Sequence, residues 1–267
     1  MREFRRDDWE CIPLVRSRAG FPNERLIDFE ESSANQILQE VPRCDAVVHM
    51  ATHVDFRSDS GLEPFISTNV LATVLLATIA KAWGAKLIFL SGTIVFGEHS
   101  HITNDLKPSP NNPYGYAKRV AEQIIEASDV RATILRSSGI FGYRGPSHLG
   151  INRVITAAID EQLAPTLVGS GSAKRNYIFV DDLARVVLLC ATTDLPGTHL
   201  VAGRDLCTIK EMLGLIGEVF VPGTDITQIP GGEEVDRTVE SSKKLPAGRS
   251  FKDALESIKK ACASSTA

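Results

Sequence analysis

The chain has 267 residues, of which 43% are hydrophobic and 23% charged, and its formal net charge is −4. This composition is that of an ordinary globular protein, long enough for one large α/β domain or a core domain with a small companion. The weakly negative charge argues against a general binder of nucleic acids or of anionic membranes.

Several other classes of protein are also not expected. No stretch approaches the roughly 20 consecutive apolar residues that span a bilayer, and the first eight residues lack the apolar core of a secretion signal. The cysteines number five, an odd count, and show no CxxC spacing. They therefore indicate reduced thiols in a cytoplasmic protein. The six histidines have no ligand spacing, so we expect no metal site.

Short apolar runs alternate with longer helical patterns, which is typical of βαβ units and predicts a parallel sheet. The predicted strands are Cys11–Val15, Leu26–Phe29, Ala46–Ala51, Leu87–Leu90 and Ala132–Leu135. The predicted helices are Ala34–Glu40, Pro64–Trp83 and Tyr114–Ala127. Gly84 is placed to end the second helix. The last fifteen residues of that helix are apolar almost all round, so we expect it to be buried or to face another subunit.

From about Leu149 the segments are punctuated by glycine and less regular. Tyr177–Val180 and Ala184–Cys190 predict a further strand and helix. Ser250, with Asp253 three residues later, marks the start of a last helix.

Tyr114 and Lys118 are the chain's first candidates for chemistry. Pro113 favours a helix start, and residues four apart lie on one helix face, so the phenol and the ammonium can share a site. A lysine ammonium beside a phenol is expected to lower the tyrosine pKa toward working pH. Tyr114 is therefore a candidate general acid/base, although the spacing alone also fits a chance pair on a solvated helix.

The surrounding motifs resemble those of the extended short-chain dehydrogenase/reductase family, which includes nucleotide-sugar epimerases, dehydratases and reductases. The matching segments, in chain order, are Asp45–Ala51 (DxVxHxAA), Asn69-Val70, Leu90–Gly97 (SSxxVYG), Pro113–Lys118 with Glu122 (PYGxSKxxxE), Leu135–Gly142 (LRxxxxYG) and Arg175–Asp182 (RDYIHVxD). Their order and spacing run from about residue 10 to the C-terminus.

The resemblance implies a Rossmann-like, doubly wound parallel sheet with a small C-terminal substrate domain. Residues 1–148 would bind NAD(P) and residues 149–267 the substrate, with residues 175–205 returning to the Rossmann sheet. The implied reaction is hydride transfer between a nicotinamide and a sugar carbon. In it, Tyr114 exchanges the matching proton, and Lys118 lowers its pKa and holds the nicotinamide ribose. Tyr116 lacks a lysine four residues later and is expected to be structural.

The N-terminus departs from the family pattern. The family opens with a strand and a GxxGxxG turn that binds the pyrophosphate, whereas the first glycine here is Gly20. Phe4–Trp9 resemble the tail of the first helix, so we expect that roughly 20 residues are absent. We expect a start codon assigned too late, with a relative that has truly lost its cofactor as the alternative. Strand one is central in the order 3-2-1-4-5-6, so its neighbours would each lack a ladder partner.

The active-site hydroxyl is a second departure. The serine or threonine of the family motif falls on Gly92, with Ser91 and Thr93 beside it. We expect Thr93 to serve, with Ser91 as the other candidate, since adjacent strand residues point to opposite faces. Both could instead be ordinary turn hydroxyls. Dehydratases commonly carry an Asp-Glu pair after this threonine, but Ile94 and Val95 stand here, which disfavours dehydration.

The resemblance also places the cofactor and substrate contacts. Arg16 and Arg18 follow strand two, where NAD-preferring members carry an acidic residue, so NADP is expected, with NAD possible. Asp28, Phe29 and Ala51 would lie along the cofactor. In the substrate half, Arg175 would bind the diphosphate of a nucleotide-sugar, and Arg237 is a second candidate.

The implied partners are the nucleotide-sugar and a second copy of the chain, with the predicted helices Pro64–Trp83 and Tyr114–Ala127 pairing in a homodimer. The sequence does not choose between an epimerase and a reductase. The alternative is a non-catalytic relative that serves as a binding or regulatory subunit.

Overall fold

The computed structural model describes residues 9–55, 61–231 and 235–265, and within them the fold is α/β. The strands are β1 (Leu14–Val15), β2 (Arg25–Leu26), β3 (Ala46–His49), β4 (Lys86–Gly92), β5 (His101–Ile102), β6 (Ala132–Ser137), β7 (Ile140–Phe141), β8 (Thr166–Val168), β9 (Lys174–Arg175), β10 (Ile178–Phe179), β11 (Gly197–Val201), β12 (Cys207–Thr208), β13 (Thr227–Ile229) and β14 (Thr238–Val239). The helices are α1 (Ala34–Glu40), α2 (Glu63–Trp83), α3 (Pro113–Ala127), α4 (Gly150–Asp160), α5 (Val180–Thr192), α6 (Ile209–Phe220) and α7 (Phe251–Ser265).

The main sheet has four strands in the order β11-β6-β4-β3, and β3 pairs in parallel with β4 from Ala46↔Lys86 to His49↔Phe89. This arrangement confirms the predicted Rossmann-like α/β class. β11 supplies a further sheet strand from the second half of the chain. β4 and β6 each extend beyond the predicted runs, to Gly92 and Ser137, and the polar residues Ser91 and Ser137 in these extensions are buried.

The first two strands form a separate parallel pair. Leu14 pairs with Arg25 and Val15 with Leu26, and no ladder joins this pair to β3 within the described residues. The Pro13 carbonyl accepts from the Arg25 N–H. This bond uses only the carbonyl of Pro13, so the missing N–H of proline does not disturb the pairing. Both strands are shorter than the predicted runs. The predicted helix tail Phe4–Trp9 lies outside the described residues except for Trp9, which is in no helix.

Helix ends follow the local sequence. The start of α1 is fixed by a capping box between Ser33 and Gln36, and its bounds match the predicted ones. Gly84 ends α2 in the left-handed conformation (φ 65°), as predicted. Ser250 accepts from the Asp253 N–H at the start of α7.

Helix α2 departs from two expectations. Residues Ile66–Leu71 within it form a π-helix. By length and composition α2 could also cross a membrane, whereas the sequence showed no continuous apolar run long enough to do so. Half of this helix is buried inside the fold. Ala72, Leu76 and Ile79 belong to the core, as expected for a core helix.

The chain divides into two compact units. Unit 1 comprises residues 1–98, 107–136 and 184–199, and its core packs α1, α2 and α3 against β3 and β4. Unit 2 comprises residues 99–106, 137–183 and 200–267, and its core packs α4, α6 and α7 around Leu167 and Phe179. The functional division at residue 148 remains a prediction, because compactness alone assigns no binding role.

Candidate active site

A cavity of about 360 Å³ lies beside the ends of β1 and β3 in unit 1, within the 300–1,000 Å³ range of ligand pockets. Its lining residues are Leu14, Val15, Arg16, Ser17, Phe29, Ala51, Thr52, His53 and Thr68. Three predicted cofactor residues, Arg16, Phe29 and Ala51, are thus brought together. The other three are not in the lining: Arg18 is exposed, the Asp28 carboxylate accepts from the Glu30 N–H, and Lys118 lies on α3.

The N-terminal turn of α3 carries the Tyr/Lys pair. Asn112 caps this helix by accepting from the Gly115 N–H (2.9 Å), and Pro113 occupies the first turn. Gly115 allows the helix to approach the turn that follows β4, because a Cβ there would lie 2.8 Å from the Ile94 carbonyl oxygen. Local capping and close packing therefore fix the positions of Tyr114 and Lys118.

Lys118 is buried, with 3% of its surface exposed. Its ammonium donates to the Leu90 carbonyl (2.9 Å) and lies 4.8 Å from the Phe89 ring centroid. Burial lowers the Lys118 pKa from 10.5 to about 7, against the opposing effect of the Glu122 carboxylate. The ammonium is 6.0 Å from the Tyr114 ring centroid, so the two predicted residues share one site.

Tyr114 does not have the lowered pKa that the sequence predicts. Burial raises the pKa of its phenol, and a hydrogen bond with Thr52 opposes that rise only in part. The prediction was wrong because it considered the lysine charge and not the loss of water around the ring. The ring stacks on Phe65 at 6.1 Å.

Ser91 and Thr93 have different surroundings. The Ser91 hydroxyl donates to the Glu122 carboxylate (2.6 Å), which is fully buried. Arg136 binds both oxygens of the same carboxylate, at 2.9 and 2.7 Å. The hydroxyl proton of Ser91 is thus bound by the carboxylate of the Glu122–Arg136 ion pair. Thr93 is buried at the start of the 3-10 turn Thr93–Phe96.

The segment after β3 is held by Asn69, in the π-helical part of α2. Its carboxamide accepts from the His53 N–H (2.6 Å) and donates to the His53 carbonyl (3.0 Å). It also accepts from the Thr52 hydroxyl (3.3 Å). Because the Asn69 carboxamide pairs with both backbone groups of His53, it fixes the cavity wall that lies next to Tyr114.

His49 lies behind this wall and is neutral. Its Nε2 is 2.9 Å from the Thr73 hydroxyl, which itself donates to the Asn69 carbonyl, so Nε2 carries the proton. Burial, and then the charge of Lys118, lower the His49 pKa to about 3. Nδ1 has no hydrogen-bond partner in the described part of the chain.

The two predicted substrate arginines meet in unit 2. Arg175 of β9 and Arg237 form a parallel backbone bridge. The Arg175 guanidinium donates to the carbonyls of Lys174 (2.8 Å) and Val235 (2.7 Å). Burial and the positive charge of Arg175 lower the pKa of Arg237, whereas burial raises the pKa of Tyr177 against the pull of both arginines. Adjacent cations of this kind form a site suited to an anion.

Thr52, Asn69 and Phe65 were not singled out as site residues from the sequence. A signal existed for Thr52, because ligands in open α/β sheets bind beyond the carboxyl ends of the strands, and Thr52 follows β3. Asn69 could not be found this way, since its contact depends on the π-helical turn. Within residues 9–55, 61–231 and 235–265, no three His, Cys, Asp or Glu side chains are grouped to hold a metal ion.

Comparison with known proteins identifies relatives at the level of family and of sequence. The model of the NAD dependent epimerase/dehydratase family matches residues 1–203. A dTDP-glucose 4,6-dehydratase of Mycobacterium tuberculosis is 32% identical over 169 residues, covering 59% of this chain and 50% of that protein. The low-salt glycan biosynthesis protein Agl12 of Haloferax volcanii is 29% identical over 246 residues, covering 89% and 70%. The chain therefore spans only half the length of the first of these relatives.

Solved structures share the fold. MoeE5 in complex with UDP-glucose and NAD superimposes with a TM-score of 0.80 at 19% identity, covering 100% of this chain and 94% of that one. The UDP-glucuronic acid 4-epimerase from Bacillus cereus, in complex with NAD, gives 0.73 at 21% identity and covers 91% and 83%. A dTDP-4-dehydrorhamnose reductase from Bacillus anthracis str. Ames, in complex with NADP, gives 0.72 at 18% identity and covers 89% of each chain.

Proposed function

Because the chain belongs to the NAD-dependent epimerase/dehydratase family, we propose that it is an oxidoreductase that acts on a nucleotide-sugar by hydride transfer, with NADP as cofactor. The observation that carries this proposal is the position of His53. This residue lines the cavity that holds Arg16, Phe29 and Ala51, and its ring packs against the Phe65 ring on which Tyr114 stacks. A candidate cofactor cavity and a candidate acid/base group are therefore joined through two ring contacts.

The residues around the cavity fit the adenosine side of a dinucleotide. Arg16 and Ser17 supply a guanidinium and a hydroxyl, which suit a ribose 2′-phosphate. Phe29 and Leu14 supply apolar surface for a base, and Ala51 leaves room where the backbone passes. A glycine-rich turn for the pyrophosphate is not among the described residues.

The bound nicotinamide would supply the hydride acceptor or donor. Tyr114 would remove a proton from the sugar hydroxyl when that carbon is oxidised, and return it on reduction. Lys118 lies beside the phenol and would hold the ribose hydroxyls. Thr93, in the turn after β4, would donate to the reacting sugar oxygen. We assign Ser91 instead to the support of Glu122, since its proton is used there.

Arg175 and Arg237 would bind the substrate diphosphate. Guanidinium groups match phosphate oxygens in a planar fork, and a dianionic group would relieve the repulsion between the two cations. Among the candidate reactions we favour epimerisation or keto reduction over dehydration. Ile94 and Val95 stand where a dehydratase would carry an acidic pair, although the first relative is a dehydratase.

The active form would be a homodimer. Apolar side chains lie exposed along α2 at Ile66, Leu71 and Val74, and along α3 at Tyr116 and Val120. The two helices pack together in unit 1, so a second copy could cover both stripes by forming a four-helix bundle. Light scattering at micromolar concentration should give twice the chain mass, and a monomer would reject this assignment.

A non-catalytic relative is the second candidate. It is favoured by Gly92, which removes the family's usual active-site hydroxyl, and by the raised pKa of Tyr114. In that case the cavity could bind a nucleotide without turnover.

Titration with NADPH and assay of Tyr114→Phe separate the two candidates. The enzyme should quench or shift NADPH fluorescence and turn over a UDP- or dTDP-sugar. Loss of the acid/base should lower kcat by about 10²–10⁴-fold with NADPH binding unchanged. Tyr116→Phe, on the exposed face of the same helix, is the matched control. NADPH binding with no turnover of any nucleotide-sugar would favour the non-catalytic candidate, and no binding would reject the proposed cofactor.

A further inference from the structure

We propose that Ser91 is a positioning residue for Lys118: by binding Glu122, its hydroxyl holds the Leu90 carbonyl at the place where the Lys118 ammonium docks. The catalytic meaning of this inference rests on the proposed function, in which Lys118 is the partner of Tyr114. Its structural content, an ammonium whose acceptor is held in place by the next side chain along the strand, can be tested without substrate.

Two hydrogen bonds join α3 to the end of β4. The Lys118 ammonium donates to the Leu90 carbonyl (2.9 Å), and the Ser91 hydroxyl donates to the Glu122 carboxylate (2.6 Å). Lys118 and Glu122 are four residues apart, so their side chains lie on one face of the helix. Lys118, Ser91 and Glu122 are all buried, with at most 3% of their surface exposed. The two bonds therefore form a pair of buried links between the same helix and the same strand end.

The acceptor of the first link belongs to the residue that makes the second. The Leu90 carbonyl is part of the planar peptide group that joins Leu90 to Ser91. The pairing of β3 with β4 ends at His49↔Phe89, so it does not extend to Leu90. A bond from the Ser91 side chain to α3 restrains this peptide plane, and with it the direction of the Leu90 carbonyl.

Glu122 is a firm anchor for Ser91. Arg136 of β6 donates to both carboxylate oxygens, at 2.9 and 2.7 Å, and Arg119 adds a donor at 3.0 Å. The 2.6 Å contact from Ser91 is in the range of charge-assisted O–H···O⁻ bonds, which are stronger than neutral ones. Ser91 thus ties the end of β4 to a group that other elements already hold in place.

The docked ammonium keeps donors for other groups. An ammonium has three N–H donors, and the Leu90 carbonyl takes one of them. The nitrogen lies 4.8 Å from the Phe89 ring centroid and 6.0 Å from the Tyr114 ring centroid. The direction of the Leu90 carbonyl therefore determines where the remaining donors point, toward the phenol or toward a bound ribose.

The ionisation of Lys118 reports whether its ammonium is docked. The ionisable groups on the elements packed around it are His49 of β3, Tyr114 of α3, and Glu122 with its partners Arg119 and Arg136. The π-helical segment Ile66–Leu71 and the turn Thr93–Phe96 carry no ionisable side chain.

Burial lowers the pKa of Lys118 to about 7 and that of His49 to about 3, and it raises the pKa of Tyr114. Of these three groups, Lys118 is therefore the one that titrates near neutral pH. A buried ammonium that loses its acceptor favours the neutral amine, so undocking should lower the Lys118 pKa further.

The test compares Ser91→Ala with Ser91→Thr in the full chain, without nucleotide or sugar. NMR of 13C-labelled lysine follows the ionisation of Lys118, whose signal is assigned by its loss in Lys118→Met. The alanine variant should hold about tenfold less charged Lys118 at a given pH, and the threonine variant, which keeps the hydroxyl, should match the native protein. Arg119→Gln is the matched control, because it removes a donor to the same carboxylate without changing β4, and it should not lower the Lys118 pKa.

Three results would overturn the inference. They are a native-like Lys118 titration in Ser91→Ala, a pKa that rises there toward the ordinary 10.5 because water has entered, and an equal fall in Ser91→Ala and Ser91→Thr. Should the alanine variant fail to fold, Ser91→Cys replaces the hydroxyl by a weak donor of similar size and is read in the same way.

Activity gives a second measurement that depends on the proposed function. If the native protein turns over a nucleotide-sugar, its kcat at about pH 7 should fall about tenfold in Ser91→Ala and recover in Ser91→Thr, with KM for the sugar unchanged. A shift of the Lys118 titration in a protein that turns over no nucleotide-sugar would reject the proposed function and would still support the positioning of Lys118 by Ser91.

Discussion

The two compact units hold their arginines in opposite electrostatic settings. In unit 1, Arg136 is bound through two hydrogen bonds to Glu122, whose carboxylate also accepts from Ser91 and Arg119. In unit 2, Arg175 lies beside Arg237 and donates to backbone carbonyls. The first is a closed ion cluster in which a buried anion is balanced, and the second places two arginines side by side.

The two settings imply different roles for their charged residues. A buried carboxylate with three donors has no capacity left for a ligand, so its contribution is to stability and to the position of α3. Neighbouring guanidiniums repel each other and gain from an added anion, so their contribution should appear in binding. Substitutions in the two clusters should therefore change different measured quantities.

Glu122→Gln should have the largest effect on stability. The variant leaves Arg136 without its charge partner in a buried site, which costs about 3–5 kcal/mol of unfolding free energy. Urea unfolding followed by circular dichroism measures this loss. Glu126→Gln is the matched control on the same helix, because Glu126 is 44% exposed and should contribute less than about 1 kcal/mol. Equal losses in the two variants would show that the unit 1 cluster is not a closed, buried one.

Arg175→Ala should weaken substrate binding and leave unfolding almost unchanged. Loss of one charge-assisted contact is worth about 1.5–3 kcal/mol, or about 10–100-fold in KM for a nucleotide-sugar. Isothermal titration with UDP gives the same comparison without turnover. Arg204→Ala, an exposed arginine paired with Asp205 in the same unit, is the control. If Arg175→Ala instead lowered stability as much as Glu122→Gln, the contrast between the units would fail.

Lys118→Met should remove a pH dependence of the unfolding free energy that the buried lysine charge causes in unit 1. The folded pKa of Lys118 is about 7 and the ordinary value is 10.5, so between these values the unfolded chain binds more protons. The stability of the native protein therefore rises with pH across this window, and the cost of burying the charge is complete below about pH 7. The variant lacks this dependence. Its unfolding free energy relative to the native protein should fall from about pH 6 to about pH 10, whereas exposed Lys81→Met should show no such trend.

The predictable parts of the molecule were those that local sequence determines. Ser33 and Gln36 fixed the start of α1, and Asn112 with Pro113 fixed the helix that presents Tyr114 and Lys118. A family motif also brought Arg175 forward as a candidate, whereas Arg237 was a second candidate without such a motif before the structure paired the two. Local rules are sufficient here because each of these features depends on residues close in the chain or on a recognisable motif.

The remaining features depend on contacts between distant residues. Ser91 is 31 residues from Glu122, and only the packing of α3 on β4 shows that its hydroxyl is used there. The raised pKa of Tyr114 follows from its burial, with the ring stacked on Phe65, which no spacing rule provides. Strands β1 and β2 were predicted too long, because ladder length depends on the neighbouring strands and this pair forms a sheet of its own.

Arg16→Ala should have the smallest effect, a change in nucleotide affinity, and it tests whether unit 1 also has an arginine that binds a ligand. Arg16 lines the cavity, whereas Arg18 is exposed outside it. Loss of a guanidinium that contacts a 2′-phosphate should weaken NADPH by about tenfold and NADH hardly at all, because NADH lacks that phosphate. Fluorescence titration with both nucleotides measures the ratio, and Arg18→Ala should change it less. Equal weakening of NADPH and NADH would remove the argument for NADP and would place Arg16 beside a part that both nucleotides share.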